Sequence, residues 1–360
     1  MIPSRKTILE CPARVSNLNN IRVRWGIIPT IKDICDMWNK PHRHYHTVEN
    51  HLIPMLNNID SLLEKTRISV DMYEKLYISA LFHDIIYDPK SKTNEEDSVS
   101  FLLKSVKTPS NFVEISNIIM ATKTHYTYSD KEINEEMALI NIFIKIDLKV
   151  LSYDFPELLK WEQQIQKEYE FVNWKTYKKE RIKVLNEFLD MDNIFIYVNR
   201  EGIKNLIYFI NEMKPNIAIY AGSFNPFHKG HLDVVEKAEK IFDKVIIAKG
   251  KNDSKSIDVE EFVYEFEQLQ KLFPNKEVIT YEGLLTDLIT LQEGNITLVR
   301  GLRNGYDLDA ENTLMAYMKD LLPTLQVIYL PCDKKYEYIS SSSIRMLRKY
   351  GSEKVKKYLP

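Results

Sequence analysis

Residues 218–231 read AIYAGSFNPFHKGH. An apolar run, residues 217–221, breaks at Gly222, passes through Asn225-Pro226 and reaches His228, Lys229, Gly230 and His231. Leu232, Val235, Ala238 and Phe242 then recur at helical spacing. The pattern predicts a strand, a tight turn and the first turn of a helix. Such a junction suits phosphate chemistry. A helix N-terminus offers unpaired N–H groups and the positive end of its dipole, glycine lets the backbone approach closely, and two imidazoles three residues apart share one face.

The surroundings of this stretch define a domain. Eight of the ten glycines follow residue 215, while six of the eight histidines precede it. The first part therefore reads as helices with few tight turns. After Lys214-Pro215, five strand-like runs (217–221, 244–249, 277–281, 296–300 and 325–330) alternate with helical segments. That alternation predicts a parallel, doubly wound α/β sheet. Its ligands are expected outside the carboxyl ends of the strands. The expected division is a loosely packed leader over 1–23, a helical domain over 24–197, a linker helix over 198–214 and the α/β domain over 215–360. Proline at 215 cannot continue the linker helix.

At 360 residues the chain has room for two or three domains. With 49 basic and 51 acidic residues it lacks the footprint of a nucleic-acid or membrane-surface binder, so small-molecule substrates are expected. Cys11, Cys35 and Cys332 have neither metal nor redox spacing, which suits a reducing, cytoplasmic setting. No run is long and apolar enough to span a bilayer, and MIPSRKTILE lacks the core of a signal peptide.

Two further stretches in the α/β part carry phosphate-binding groups. VRGLRNGYDLDAEN follows the fourth strand and sets Arg300 and Arg303 around Gly301, two guanidinium forks where a strand delivers its backbone. After the fifth strand, Tyr338 and Ile339 precede Ser340, Ser341, Ser342 and Ser343 at the start of another helix, a second cradle for an anion.

In the helical part, the segment 70–86 carries His83-Asp84 at the end of an apolar face. A buried aspartate beside a histidine is costly unless paired or metal-bound, and imidazole with carboxylate suits a divalent transition metal such as Mn, Fe, Co, Ni or Zn. HRHYHTVENH, LFHDIIYDP with Asn94-Glu95-Glu96, IIMATKTH, KIDLKVLS and IQKEYEFVNWKTYKKERIKVLNEFL together resemble, in order, the HD-superfamily metal-dependent phosphohydrolases. The resemblance implies an all-helical bundle and a metal set of His51, His83, Asp84 and Asp147. It makes His46 a neighbouring acid or phosphate contact, with Glu95, Glu96 and His125 as outer candidates. One departure stands out: His46 and His51 are five residues apart rather than four. Five residues rotate about 140° around an α-helix, so both rings can reach one site only through a distortion such as a π-bulge. A working hydrolase with a local bulge and a non-catalytic scaffold both remain open at this stage.

GSFNP, KGH, the Lys255 of NDSKS, YEGLLTDLI, RGLRNGYDLDAE and YISSS together resemble the phosphopantetheine adenylyltransferases. The resemblance implies transfer of AMP from ATP, taken with Mg²⁺, to 4′-phosphopantetheine. It implies that Ser223 and Lys255 meet the acceptor's phosphate, and that His228 and His231 hold the ATP phosphates and the transition state. Leu284, Leu285 and Thr286 would follow the pantetheine arm. Arg300, which would also serve catalysis and the acceptor, joins Arg303, Glu311 and Ser340–Ser342 around ATP, beside Gly222, Phe224, Gly301 and Tyr338. A homo-oligomer, a hexamer in that family, is implied as well. Asn225 stands where the family carries Asp, and GSFNPFHKGH alone also resembles the nicotinate and nicotinamide mononucleotide adenylyltransferases, which keeps that acceptor as the alternative.

Overall fold

The computed structural model describes residues 12–125, 127–128, 133–191, 197–251, 259–303 and 305–360. They form two compact units, one of residues up to Glu168 with Lys183–Tyr208, the other of Tyr169–Ile182 with Phe209–Pro360. Among the described residues no helix is long and apolar enough to cross a membrane.

The first ten helices are α1 (Pro12–Arg24), α2 (Ile31–Trp38), α3 (Ile53–Glu64), α4 (Val70–Phe82), α5 (Asn94–Lys104), α6 (Val113–Ala121), α7 (Glu135–Asp147), α8 (Phe155–Glu168), α9 (Trp174–Asp190) and α10 (Arg200–Glu212). Helix α4 is the hub of the helical unit. Ser69 caps it by accepting the Met72 N–H, and residues from Tyr73 to Phe82 are buried almost all round, as a central helix requires. Its last turn delivers His83 and Asp84. Trp38, fully buried at the end of α2, donates its indole N–H to the Leu81 carbonyl at 2.9 Å.

Of the segment expected as a loosely packed leader, residues 1–11 lie outside the described residues and residues 12–23 belong to helix α1. Leu18 and Ile21 are buried, while Asn17 bonds Tyr73 at 2.8 Å and Arg14 pairs with Asp60 at 3.1 Å. Among its described side chains only Leu18 and Ile21 are buried apolar anchors of this asparagine- and arginine-rich helix, so its sequence shows no clear hydrophobic period.

The second unit carries one parallel sheet in the order β3-β2-β1-β4-β5, with β1 at Asn216–Gly222, β2 at Lys244–Gly250, β3 at Val278–Tyr281, β4 at Asn295–Leu302 and β5 at Gln326–Pro331. These are the five apolar runs of the sequence, with ends shifted by a residue or two. Helices α11 (Lys229–Ala238), α12 (Val259–Leu272), α13 (Leu285–Thr290), α14 (Gly305–Leu321) and α15 (Ser341–Arg348) connect and follow the strands. Ile217 pairs with Lys244 on one side and Ile296 on the other, so β1 is the central strand and the order reverses beside it. That reversal opens a crevice at the carboxyl ends of β1 and β4. Val234, Val235 and Ala238 of α11 close one face of the sheet over Ala218, Tyr220, Val245 and Ile247.

Gly294 turns the chain into β4. Its φ is +125°, and a Cβ there would lie 2.7 Å from the Pro215 carbonyl oxygen. Gly294→Ala is therefore expected to lower stability by about 1–3 kcal/mol in denaturant titration. Gly283→Ala, where φ is +79° but no atom lies within 4 Å, should cost less. Equal losses at both positions would show that the contact with Pro215 is not the cause.

Candidate functional site

The crevice holds a cavity of about 340 Å³. Its walls bring together Gly222, Ser223, Phe224, His228, His231, Arg300, Gly301, Arg303, Glu311 and Ser340–Ser342, most of the residues expected around ATP. Three helix N-termini contribute to it: Gly230 and His231 from α11, Asp307 from α14, Ser341 and Ser342 from α15. Each adds the partial positive charge of its first turn.

The two histidines are arranged by the backbone of their own helix. His228 is the N-cap of α11, and its Nδ1 accepts the Gly230 N–H at 3.1 Å. The Nδ1 of His231 accepts the His228 N–H at 3.2 Å. A backbone amide can only donate, so both Nδ1 atoms carry lone pairs and each neutral ring bears its proton on Nε2. The rings stack with centroids 3.6 Å apart. Burial pushes the His228 pKa down to about 4, with Arg303 adding to the shift. Burial, then His228 and Arg303, drives His231 well below the usual imidazole range. Both rings are neutral hydrogen-bond donors at neutral pH.

Each arginine is already held by a carboxylate. Glu311 grips Arg300 through Nε at 2.7 Å and Nη2 at 2.5 Å, and Arg300 Nη1 donates to the Ala221 carbonyl at 2.9 Å. Asp307 grips Arg303 in the same bidentate way at 2.9 and 2.8 Å. Glu311 thus acts here as an orienting group for Arg300. Asp307 was not singled out in the sequence, although its spacing of four from Arg303 on a helix start was the available signal. The serine helix grips the turn: Ser340 accepts the Ser343 N–H at 3.1 Å, Ser341 donates to the Pro226 carbonyl at 3.0 Å, and Arg345 donates to the Asn225 carbonyl.

Other expected contacts lie elsewhere. Tyr338 is 69% exposed with its ring against Tyr358, and Leu284 is 53% exposed. Leu285 opens α13, and Thr286 is buried. Among the described residues, none of these four lines the cavity. Lys255 lies outside the described residues.

A second cluster sits in the helical unit. Val48–Leu52 forms a π-turn, with the Leu52 N–H donating to Thr47 and the Ile53 N–H to Val48, five residues back. His46 itself precedes the Thr47 cap, outside the helix, so the rotation of about 140° expected between two positions of one α-helix does not apply to His46 and His51. His51 Nε2 lies 3.2 Å from His83 Nε2 and 3.1 Å from Asp147 Oδ1. Asp84 Oδ2 is 3.2 Å from His83 Nε2. Ligand atoms of His51, His83 and Asp147 all fall within 4.8 Å of one another. His83 Nδ1 donates to the Ala80 carbonyl at 3.1 Å, which aims Nε2 inward, and Tyr45 Oη meets His51 Nδ1 at 3.1 Å. Two buried imidazoles with two carboxylates, each ring oriented by an outer partner, fit a divalent transition metal. Burial lowers the His83 pKa, but Asp84 and Asp147 outweigh it and hold it near 9. Burial works against ionised Asp147 as well, yet His125, His51 and His83 keep its pKa well below the ordinary value.

The outer groups divide. His125 reaches Asp147 Oδ2 at 3.2 Å and so touches the cluster. Glu96 pairs with Lys123, and Glu95 stands in the first turn of α5. His46 Nδ1 binds Glu168 Oε2 at 2.7 Å, and its Nε2 lies 4.0 Å from Asp84. Glu168, missed in the sequence, also accepts the N–H groups of His44, Tyr45 and His46 at 2.7–2.9 Å and the Tyr87 hydroxyl at 2.8 Å. Burial opposes its charge, but these donors hold its pKa down at about 2. Arg43, missed too, is fully buried and donates to the carbonyls of Asp84 at 2.7 Å and Ile85 at 3.0 Å.

The cytidylyltransferase-like family profile matches residues 219–347. The phosphopantetheine adenylyltransferase of Porphyromonas gingivalis is 41% identical over 150 residues, covering 41% of this chain and 96% of that protein. That of Mycoplasma capricolum subsp. capricolum is 39% identical over 136 residues, covering 37% of this chain and 97% of its own length. Among solved structures, the nicotinic acid mononucleotide adenylyltransferase of Plasmodium falciparum matches 40% of this chain and 90% of its own, at 18% identity and a TM-score of 0.28, a likeness too low to carry an argument. Through its C-terminal unit the chain belongs to the cytidylyltransferase-like nucleotidyltransferases, as a relative of the phosphopantetheine adenylyltransferases.

Proposed function

We propose that the C-terminal unit transfers AMP from ATP to 4′-phosphopantetheine, giving dephospho-coenzyme A and pyrophosphate. The carrying observation is the cavity in which two neutral imidazoles, two clamped guanidinium groups and three helix N-termini converge at the carboxyl ends of β1 and β4. Near-complete coverage of the Porphyromonas relative supports the acceptor. In the transfer, the acceptor's phosphate oxygen forms a bond to the α-phosphorus as the bond to the bridging oxygen of pyrophosphate breaks. Charge gathers on that bridging oxygen and on the equatorial oxygens. The Nε2–H groups of His228 and His231 donate to phosphate oxygens, and Arg300, held by Glu311, meets the developing charge without first ordering its own side chain. ATP enters with Mg²⁺, which offsets part of its charge. The reading also supports a homo-oligomeric, cytoplasmic enzyme like those of the family.

We further infer that the helical unit is an HD-type phosphohydrolase, the reading favoured by the His51, His83, Asp84 and Asp147 cluster. A bound divalent metal would lower the pKa of a coordinated water and so supply a hydroxide for attack on phosphorus. Burial opposes a charge on His46, but Glu168, bound at Nδ1, and Asp84 outweigh it and raise its pKa, so the ring favours the protonated form whose Nε2–H can donate toward the cluster.

Incubation with ATP, Mg²⁺ and phosphopantetheine should release pyrophosphate, and His231→Ala should slow the release by about 10²–10³-fold. Nicotinate mononucleotide serving in its place would move the acceptor to the alternative, and silence with both would sink the adenylyltransferase reading. Metal analysis of the intact chain should find one divalent transition ion per chain that is lost in His83→Ala and in Asp147→Asn. A chain that takes up no metal under any loading would make the helical unit a scaffold.

The depressed imidazole pKa of His228 also links stability to pH. Its folded value of about 4 lies below the unfolded value near 6.5, so the unfolded chain binds the extra proton between them. The contribution is fully present above about pH 6.5 and is lost as pH falls toward 4. His228→Asn keeps a capping acceptor and removes the titration. Between pH 8 and pH 5 the wild type should lose roughly 2 kcal/mol more than this variant, read from the denaturation step that ATP shifts. Parallel losses would show that His228 is not buried neutral.

A further inference from the structure

Lys249, next to the last residue of β2, is fully buried. Its Nζ donates to the Ser223 carbonyl at 2.7 Å and to Glu265 Oε2 at 3.1 Å, and lies 5.0 Å from the centre of the Phe262 ring. Ser223 belongs to the turn between β1 and α11, and the residue after it, Phe224, has φ at +44°, in the left-handed region. For a bulky side chain that conformation persists only where surrounding contacts hold it.

The ion pair is a poor device for stability alone. Glu265 Oε1 has no hydrogen-bond partner among the described residues, and Arg348 stands 4.0 Å from it. Burying two charges costs several kcal/mol each, and apolar replacements of both partners are commonly neutral or stabilising. What an apolar pair would not supply is a donor to Ser223. A planar trans peptide sets its N–H opposite its C=O, so a carbonyl drawn to Lys249 turns the Phe224 N–H away from the buried ammonium.

We propose that the Lys249–Glu265 pair is a positioning device for adenylyl transfer: it fixes the Ser223–Phe224 peptide plane so that the Phe224 N–H is presented to the phosphates in the cavity that Gly222, Ser223 and Phe224 line. This rests on the adenylyltransferase reading above. Lys249 acts through the turn and touches no substrate.

The test uses the full chain carrying Lys249→Met with Glu265→Met, which removes both charges together. The double variant should unfold at or above the wild-type temperature. Its kcat for pyrophosphate release from ATP and phosphopantetheine should fall by about 10–100-fold, with the KM for phosphopantetheine changed less than about threefold. A folded double variant with wild-type kcat overturns the proposal. If the wild type itself releases no pyrophosphate, the acceptor reading fails and calorimetric titration with ATP decides: binding weaker by about tenfold supports the positioning role, and equal binding overturns it. Should the double variant not fold, Glu265→Gln decides, since it loosens the anchor of Lys249 and keeps both side-chain volumes. A kcat lowered about tenfold at an unchanged melting temperature supports the proposal, and an unchanged kcat overturns it.

Discussion

The C-terminal site depends on two amide donors at the start of α11 that end on imidazole nitrogens. The Gly230 N–H fills the Nδ1 lone pair of His228, and the His228 N–H fills that of His231. A helix start has four such donors to satisfy, and serine or aspartate is the common partner. Histidine at the cap does the same work while presenting a second nitrogen to the cavity. Capping therefore sets the tautomer, the tautomer sets the direction of the proton, and stacking at 3.6 Å keeps the two rings from adding a second charge beside the first.

The helical unit solves the related problem of burying several carboxylates. Glu168 collects three successive backbone N–H groups, an imidazole and a phenol, and Arg43 collects carbonyl oxygens around Asp84 and Ile85. Between them they fix the segment from His42 to His46 against the end of α4. The π-turn at Val48–Leu52 then rotates His51 into the space where His83 and Asp147 converge. π-turns cost hydrogen-bond quality and are kept mainly where a side chain must be aimed, which agrees with the convergence seen here.

The sheet was legible to within a residue or two because the strands β1 and β2, buried on both faces, are continuous apolar runs, and each of the five runs ends in a glycine, proline or polar turn. The motifs at the carboxyl ends of β1 and β4 were legible for the same reason. The π-turn was expected on the premise that His46 and His51 share one helix, whereas His46 lies before the Thr47 cap, so the spacing of five did not itself encode it. What the sequence hid are the pairings. Arg303 with Asp307, Arg300 with Glu311 and His46 with Glu168 are choices among many charged residues, and no periodicity encodes them. Lys249 reads as the polar end of a strand, yet it is buried completely. Helix α1 was missed because polar bonds from Asn17 and Arg14 do much of the anchoring that an apolar stripe would do.

The pairings change how the nucleotide cavity must work. Arg300 with Glu311 and Arg303 with Asp307 sum to no net charge, and the two imidazoles are neutral. Among the described lining residues, a polyanion is therefore attracted through helix N-termini and oriented donors more than through formal charge. A guanidinium already fixed by a carboxylate gains less from the ground-state phosphates than a free one would, since part of its field is spent on its partner. It also has little conformational freedom left to lose when charge moves onto the bridging oxygen. Such an arrangement gives up ground-state affinity and keeps its electrostatic response for the transition state, the condition under which binding interactions raise the rate of the chemical step.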